Sequence, residues 1–193
     1  MMNTMQQYND TQLLELILQY KGSEKAEKAF ECFYQRHATR IYRYCCRILD
    51  NVHEAEDIVQ ESFIEFLRYV QNNTIQNIPA VLLRIARNLC LNSLRKNREI
   101  LLQPELILNS AAEYAQYQDG PDQEDLSTLI PMALTLLPEE FREALILQVY
   151  HGMSYQEIAS FTGVPLTTVR NRIARGKSRL RDILQPHRQD SLR

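Results

Sequence analysis

From Pro165 to Arg181 every ionisable side chain is basic: Arg170, Arg172, Arg175, Lys177, Arg179 and Arg181. Thr167, Thr168 and Asn171 are interleaved with them. This mixture suits nucleic acid. Guanidinium and ammonium groups neutralise phosphates and release counterions. Arginine also meets guanine edges, an asparagine amide can pair with adenine, and threonine methyls touch thymine. Reading base edges requires a rigid rod that enters the major groove, and the surrounding residues predict one. Ser154 stands three residues before Glu157, the spacing of a capping box that starts a helix. Ile158 and Ala159 give that short helix an apolar side, and Gly163 is placed to end it in the left-handed conformation. Pro165 then opens a longer helix, since a first helical turn tolerates proline. Leu166, Val169, Ile173, Leu180 and Ile183 give this helix a core-facing stripe. A short helix, a glycine turn and a basic helix with amide and hydroxyl groups describe a helix-turn-helix. The bland alternative is a solvated basic helix in a bundle; cap, turn and polar face together argue against it.

Composition limits the remaining possibilities. The 193 residues suffice for one large domain or two small ones, and the net charge of -2 means that any nucleic-acid affinity comes from local patches. Glycine is sparse and strand-like alternation is absent, so the chain reads as all-α. No apolar run is long enough to span a bilayer and no signal-peptide pattern opens the chain, so a cytoplasmic location is expected. Cys32, Cys45, Cys46 and Cys90 are scattered and read as buried reduced thiols. A zinc site using His37 or His53 is the alternative, and the paired-ligand spacing it needs is missing. No metal, cofactor or catalytic constellation is expected.

Along the chain, Met1 to Tyr8 reads as frayed, and Asp10 or Thr11 as the cap of a short helix through Leu14, Ile17 and Leu18. Phe30, Phe33, Tyr34, His37, Ile41, Cys45, Ile48 and Leu49 then recur at three and four, predicting a helix of roughly two dozen residues with His37 in its core face. Another helix follows from Glu54 to Val70, buried through Ala55, Ile58, Val59, Ser62, Phe63, Phe66, Leu67 and Val70. Its outer face carries Asp57, Gln60, Glu61, Ile64 and Glu65, and no Lys or Arg occurs from Glu54 to Glu65. A solvated acidic face is the ordinary account; an isoleucine among the acids suits a docking surface for a basic helix. The polar stretch Gln71 to Pro79, with Asn72 and Asn73, predicts a loop. It leads into a second basic helix, Ala80 to Arg98, whose polar side holds Arg84, Arg87, Asn88, Asn92, Arg95, Lys96 and Arg98.

Residues 99–125 are acidic, contain no Lys or Arg and carry several Gln together with Ser, Pro and Gly, with QDGPDQED at their end, which predicts a flexible linker. Two small helical domains are therefore expected, 1–98 and 126–185, joined by that linker and followed by a disordered tail, 186–193. In the second, Leu129, Ala133, Leu136 and Leu137 predict one helix, and Pro138 the first position of the next. Phe141, Leu145 and Val149 predict the inner face of that helix.

Three segments, EAEDIVQESFIEFL, LLRIARNLCLNSLRK and LPEEFREALILQVYHGMSYQEIASFTGVPLTTVRNRIARGKSRLR, resemble bacterial RNA polymerase sigma factors, specifically the extracytoplasmic-function (ECF) group of the sigma-70 family. The resemblance covers about Phe30 to Lys96 and Leu126 to Ile183. It implies that the chain is an initiation factor, with catalysis left to the polymerase. Asp57, Gln60, Glu61, Ile64 and Glu65 would then dock on the β′ clamp helices of core RNA polymerase, and the second domain on the β-flap. It implies that the loop with Asn72 and Asn73, and the helix with Arg84, Arg87, Asn88, Asn92 and Arg95, recognise and open the minus-10 promoter element. Thr167, Thr168, Arg170, Asn171, Arg172, Arg175 and Lys177 would read the minus-35 element. It leaves room for an anti-sigma factor as a further partner. The chain departs from the family in two places: Ala80-Val81-Leu82 stands where a tryptophan is frequent, and Asn92 where an aspartate is.

Overall fold

The computed structural model describes residues 4–49, 51–101 and 126–190. Among them the secondary structure is helical, without a strand, in keeping with the all-α expectation. Most of the predicted linker (102–125) and the last three residues lie outside the described set. The chain divides into two compact units, Met1–Asn92 and Ser93–Arg193.

The first unit opens with a 3-10 turn, Thr4–Gln7, and helix α1, Asp10–Gln19. Its cap is Asn9, one residue before the expected Asp10 or Thr11. Asn9 accepts from the Gln12 backbone N–H while the Gln12 side chain accepts from that of Asn9. The reciprocal pair satisfies two of the orphan donors of a helix start, which a carboxylate one residue later cannot do. Gly22 turns the chain with a φ of 81°. The carbonyl of Ser23 then takes the first bond of α2, Glu24–Leu49. Asn51 caps α3, Val52–Val70, by accepting from the Glu54 N–H at 3.0 Å. The last long helix, α4, spans Ile78–Leu101 and runs past Asn92, where the first unit ends. It starts two residues before the expected Ala80 because Asn77 caps it, accepting from the Ala80 N–H at 3.1 Å. Pro79 is accommodated because the first turn has no intrahelical acceptor for its missing N–H.

Helices α2 and α3 meet through aromatic rings. Phe33 stacks on Phe66 at 5.6 Å and meets Phe63 edge-on at 6.0 Å. All three are fully buried, each worth roughly 1.5–3 kcal/mol in transfer free energy. Ser62, alone polar in the stripe of α3, satisfies its hydroxyl on the Ile58 carbonyl at 2.6 Å. Cys32, Cys45 and Cys90 are buried, Cys46 is half-buried, and all four are free thiols.

A polar clasp holds α1 against α2. His37, only 8% exposed, places Nε2 2.8 Å from one Asp10 oxygen, and the Arg36 guanidinium donates to the other. Arg36 also donates to the Tyr8 carbonyl at 3.0 Å. Burial pushes the His37 imidazole below its ordinary range; the Asp10 carboxylate pulls the other way, and Arg36 and Arg40 add to the depression. The unfolded chain then binds this proton more readily than the folded one. The stability involved is present above the unfolded value near 6.5 and is lost as pH falls through the lower folded value. The melting temperature should therefore drop as pH falls from about 7 through the lower folded value. His37→Leu should flatten that part of the profile; an unchanged slope would remove His37 as its source.

In the second unit α5 spans Leu126–Thr135, α6 Glu139–Val149, α7 Tyr155–Thr162 and α8 Leu166–Asp190. Three expectations are corrected here. Leu136 is 68% exposed, because α5 ends at Thr135 and the chain has left helical spacing; Leu134 takes its place in the core, beside the expected Leu137. Pro138 is the N-cap of α6 and not its first residue. Val149 is 62% exposed at the last position of α6, while Ala144 to Leu147 are buried in succession. Arg142 ties the two helices together by donating to the carbonyls of Thr135 and Leu137. Helix α8 also continues through Pro186 to Asp190, past the end expected for the domain.

Candidate nucleic-acid interface

The helix-turn-helix forms as its residues dictate. The Ser154 hydroxyl accepts from the Glu157 N–H at 3.2 Å, and the Glu157 carboxylate accepts from the Ser154 N–H at 2.7 Å. That backbone bond, with the Ser154 side chain second, holds the Glu157 carboxyl below its ordinary range. A cap of this kind contributes about 0.5–2 kcal/mol relative to alanine. Gly163 ends α7 at φ 76°, where a side chain would be strained, and its N–H bonds the Ala159 carbonyl. The Pro165 carbonyl takes the first bond of α8 from Val169.

Helix α8 is anchored on one side by Val169, Ile173 and Gly176, all buried. At about 100° per residue the opposite side holds Thr167, Asn171, Ala174 and Ser178, all exposed. Arg170 and Arg175 are exposed on either edge of that face, about 140° apart around the axis. Lys177 is exposed; Thr168 and Arg172 are half-buried on the flank toward the core. The arrangement puts a carboxamide and a hydroxyl at the centre, with a guanidinium at each margin.

In the first unit the outer face of α3 is built as its charge pattern requires. Asp57, Gln60, Glu61 and Ile64 are exposed, with Ile64 at 49%. They fall within one turn-spanning patch, since 57, 60, 61 and 64 share a helix face. Glu65 is half-buried and pairs with Arg68 of its own helix at 2.6 Å. A surface pair of that kind is worth about 0–1 kcal/mol and leaves the patch acidic.

The loop before α4 exposes Asn72 and Asn73. Asn73 already donates to the Tyr69 carbonyl at 2.8 Å, which closes the end of α3. On α4, Arg84, Asn88, Asn92 and Arg95 are exposed and Arg87 is half-buried; Leu82, Leu83, Ala86 and Cys90 form the inner face. An open cleft of about 420 Å³ lies between Gln76 to Pro79, where the loop passes into α4, the start of α1 at Asn9 to Thr11, and Arg36. Hydrophobic periodicity cannot bring Arg36 or Asn9 to this loop. The Asp10 clasp brings Arg36 to the start of α1, and the sequence carries no local signal for it.

A helix-turn-helix with a basic, amide-bearing exposed face in one unit, and an acidic helix face together with a basic polar helix in the other, are the features expected of a DNA-binding transcription factor. Comparison with known proteins gives the family. Residues 33–100 match sigma-70 region 2, and residues 127–180 match sigma-70, region 4. The chain is 38% identical over 168 residues to the ECF RNA polymerase sigma factor SigE of Mycolicibacterium smegmatis, covering 86% of this chain and 65% of that protein. It is 33% identical over 169 residues to the ECF RNA polymerase sigma factor SigW of Bacillus subtilis, covering 82% and 90%. Its fold is that of the sigma factor RpoE in a co-crystal with the anti-sigma factor NepR from Bartonella quintana. The TM-score is 0.65 and the identity 21%, over 82% of this chain and 98% of that one. CnrH, solved with the cytosolic domain of CnrY, gives a TM-score of 0.59 at 20% identity, over 90% and 97%. The chain belongs to the ECF group of the sigma-70 family of RNA polymerase sigma factors.

Proposed function

We propose that this chain binds core RNA polymerase and directs promoter-specific initiation by reading minus-10 and minus-35 elements. The observation that carries this reading is the exposed face of α8, with Arg170, Asn171 and Arg175 held outward by a helix-turn-helix whose first helix is capped at both ends. Thr167, Thr168, Arg172 and Lys177 complete the minus-35 surface. Arginine and asparagine near the start of such a helix meet base edges, and later basic residues meet phosphates.

The acidic face of α3, with Asp57, Gln60, Glu61, Ile64 and Glu65, docks on the β′ clamp helices, and the second unit on the β-flap. An exposed isoleucine ringed by carboxylates suits a partner with an apolar centre and a basic rim. Asn72, Asn73, Arg84, Arg87, Asn88, Asn92 and Arg95 engage the minus-10 strand through amide and guanidinium groups. The chain supplies no chemistry of its own in this scheme; bond formation belongs to the polymerase. It acts in the cytoplasm, beside the polymerase and the DNA. Among the described residues no helix is long and apolar enough to cross a membrane. An anti-sigma protein is a further partner, on the precedent of the complexes named above. The test is a titration of labelled full-length chain into core RNA polymerase. Saturable one-to-one binding is expected. A chain that ignores core enzyme and binds promoter duplex alone would replace this reading with that of a stand-alone regulator.

A further inference from the structure

Basic residues late in the recognition helix are expected to be phosphate contacts or solvated charges, and Arg179 is one of them. The structure gives its guanidinium another occupation. It lies over the ring of Phe141 on α6, 5.1 Å from the centroid. One turn earlier α8 has its only glycine, Gly176. A Cβ at that position would stand 3.1 Å from Leu145 Cδ1 and 3.4 Å from Phe141 Cβ. Glycine inside a helix is otherwise unfavourable, so its presence here goes with the close approach of α8 to α6.

Gly176 and Arg179 lie three apart, so they meet α6 along the same side of α8. Arg179 falls about 120° around the axis from Thr167, away from the centre of the exposed face. Gly176 sets how near α8 comes to α6. A cation over an aromatic face is a directional contact that holds at one rotation and tilt of the helix.

We propose that Arg179 is a positioning residue, which fixes the pitch of the recognition helix on α6 through the Phe141 ring and contacts no phosphate. This rests on the minus-35 reading of α8. Base discrimination requires the side chains of Arg170 and Asn171 to arrive at their edges within a fraction of an ångström. A helix free to rock on α6 keeps its charge but loses register.

The test uses holoenzyme assembled from full-length chain and core RNA polymerase, on a library of promoters varied at minus-35, at several salt concentrations. Arg179→Ala is expected to narrow the ratio of preferred to substituted promoters by about two- to five-fold. Phe141→Leu should do the same, the double variant should add nothing further, and Arg179→Lys and Phe141→Tyr should retain the ratio. The salt dependence should not change, whereas loss of a phosphate contact would reduce the log–log slope by about 0.9. A reduced slope with sequence preference intact overturns the proposal. So does an additive double variant, or an Arg179→Ala holoenzyme indistinguishable from the original. A purely structural loss would lower output evenly on every promoter and would also overturn it. If the unaltered holoenzyme shows no preference among minus-35 variants, the minus-35 reading itself fails, a result that is separate from all of these.

Discussion

Reversing both charges of the α3 face, Asp57→Lys with Glu61→Lys, is expected to weaken binding to core RNA polymerase by about 2–5 kcal/mol, or roughly 30-fold at least. The two carboxylates are one helical turn apart and exposed, flanking Gln60 and Ile64. In the complex their partners would be desolvated cations, and reversal leaves those cations facing like charge. Neither residue packs in the core, so the helical content and melting of the free chain should stay as they were. Residual binding should fall less steeply with salt than that of the original chain, because screening then relieves repulsion where it formerly weakened attraction. Unchanged affinity in an equilibrium titration would remove α3 as the docking element. Loss of affinity accompanied by loss of fold would point to stability, and the melting curve separates the two cases.

Arg170→Ala is expected to cost on the order of 1–3 kcal/mol at one or two minus-35 positions, with smaller effects elsewhere. Arg170 stands in the first turns of α8, at the margin of the face centred on Thr167, Asn171 and Ala174. In the proposed reading a guanidinium there would meet a guanine edge with two parallel hydrogen bonds, and alanine would lose both and leave that groove edge without a partner. The readout is a promoter library transcribed by holoenzyme carrying the variant. The preferred base should relax at those positions only. An even fall across all minus-35 variants would make Arg170 a phosphate contact and would mean that α8 enters the groove in a different orientation. Arg175, on the opposite margin, is then the better candidate for base reading.

Both predictions use residues whose placement was legible in the sequence. The α3 face and the helix-turn-helix follow from local rules: periodicity selects the buried side, Ser154 and Glu157 select the start, and Gly163 selects the end. Such features need no knowledge of the rest of the chain. Helix ends were less legible where two candidates compete. Asn9 won over Asp10 because only Asn9 has a glutamine three residues on to complete the reciprocal pair. Leu136 and Val149 went to the surface because each sits where its helix stops, and periodicity carries no information past a terminus. What lay beyond reach was tertiary. Asp10 meets His37 across 27 residues, and Arg179 finds Phe141 on another helix. Such pairings depend on how helices dock, and a charge pattern along one helix cannot separate a cation on a ring from a cation in solvent.

Run-off transcription by core RNA polymerase supplemented with this chain, on a library of genomic promoter fragments, tests the central claim most directly. The expected result is that the chain switches on a small set of fragments that core enzyme alone ignores. Those fragments should share one minus-10 and one minus-35 element at fixed spacing, and Arg170→Ala should relax the second. Transcripts no different from those of core enzyme alone, or start sites without any shared element, would contradict the claim that this chain is what selects the promoter.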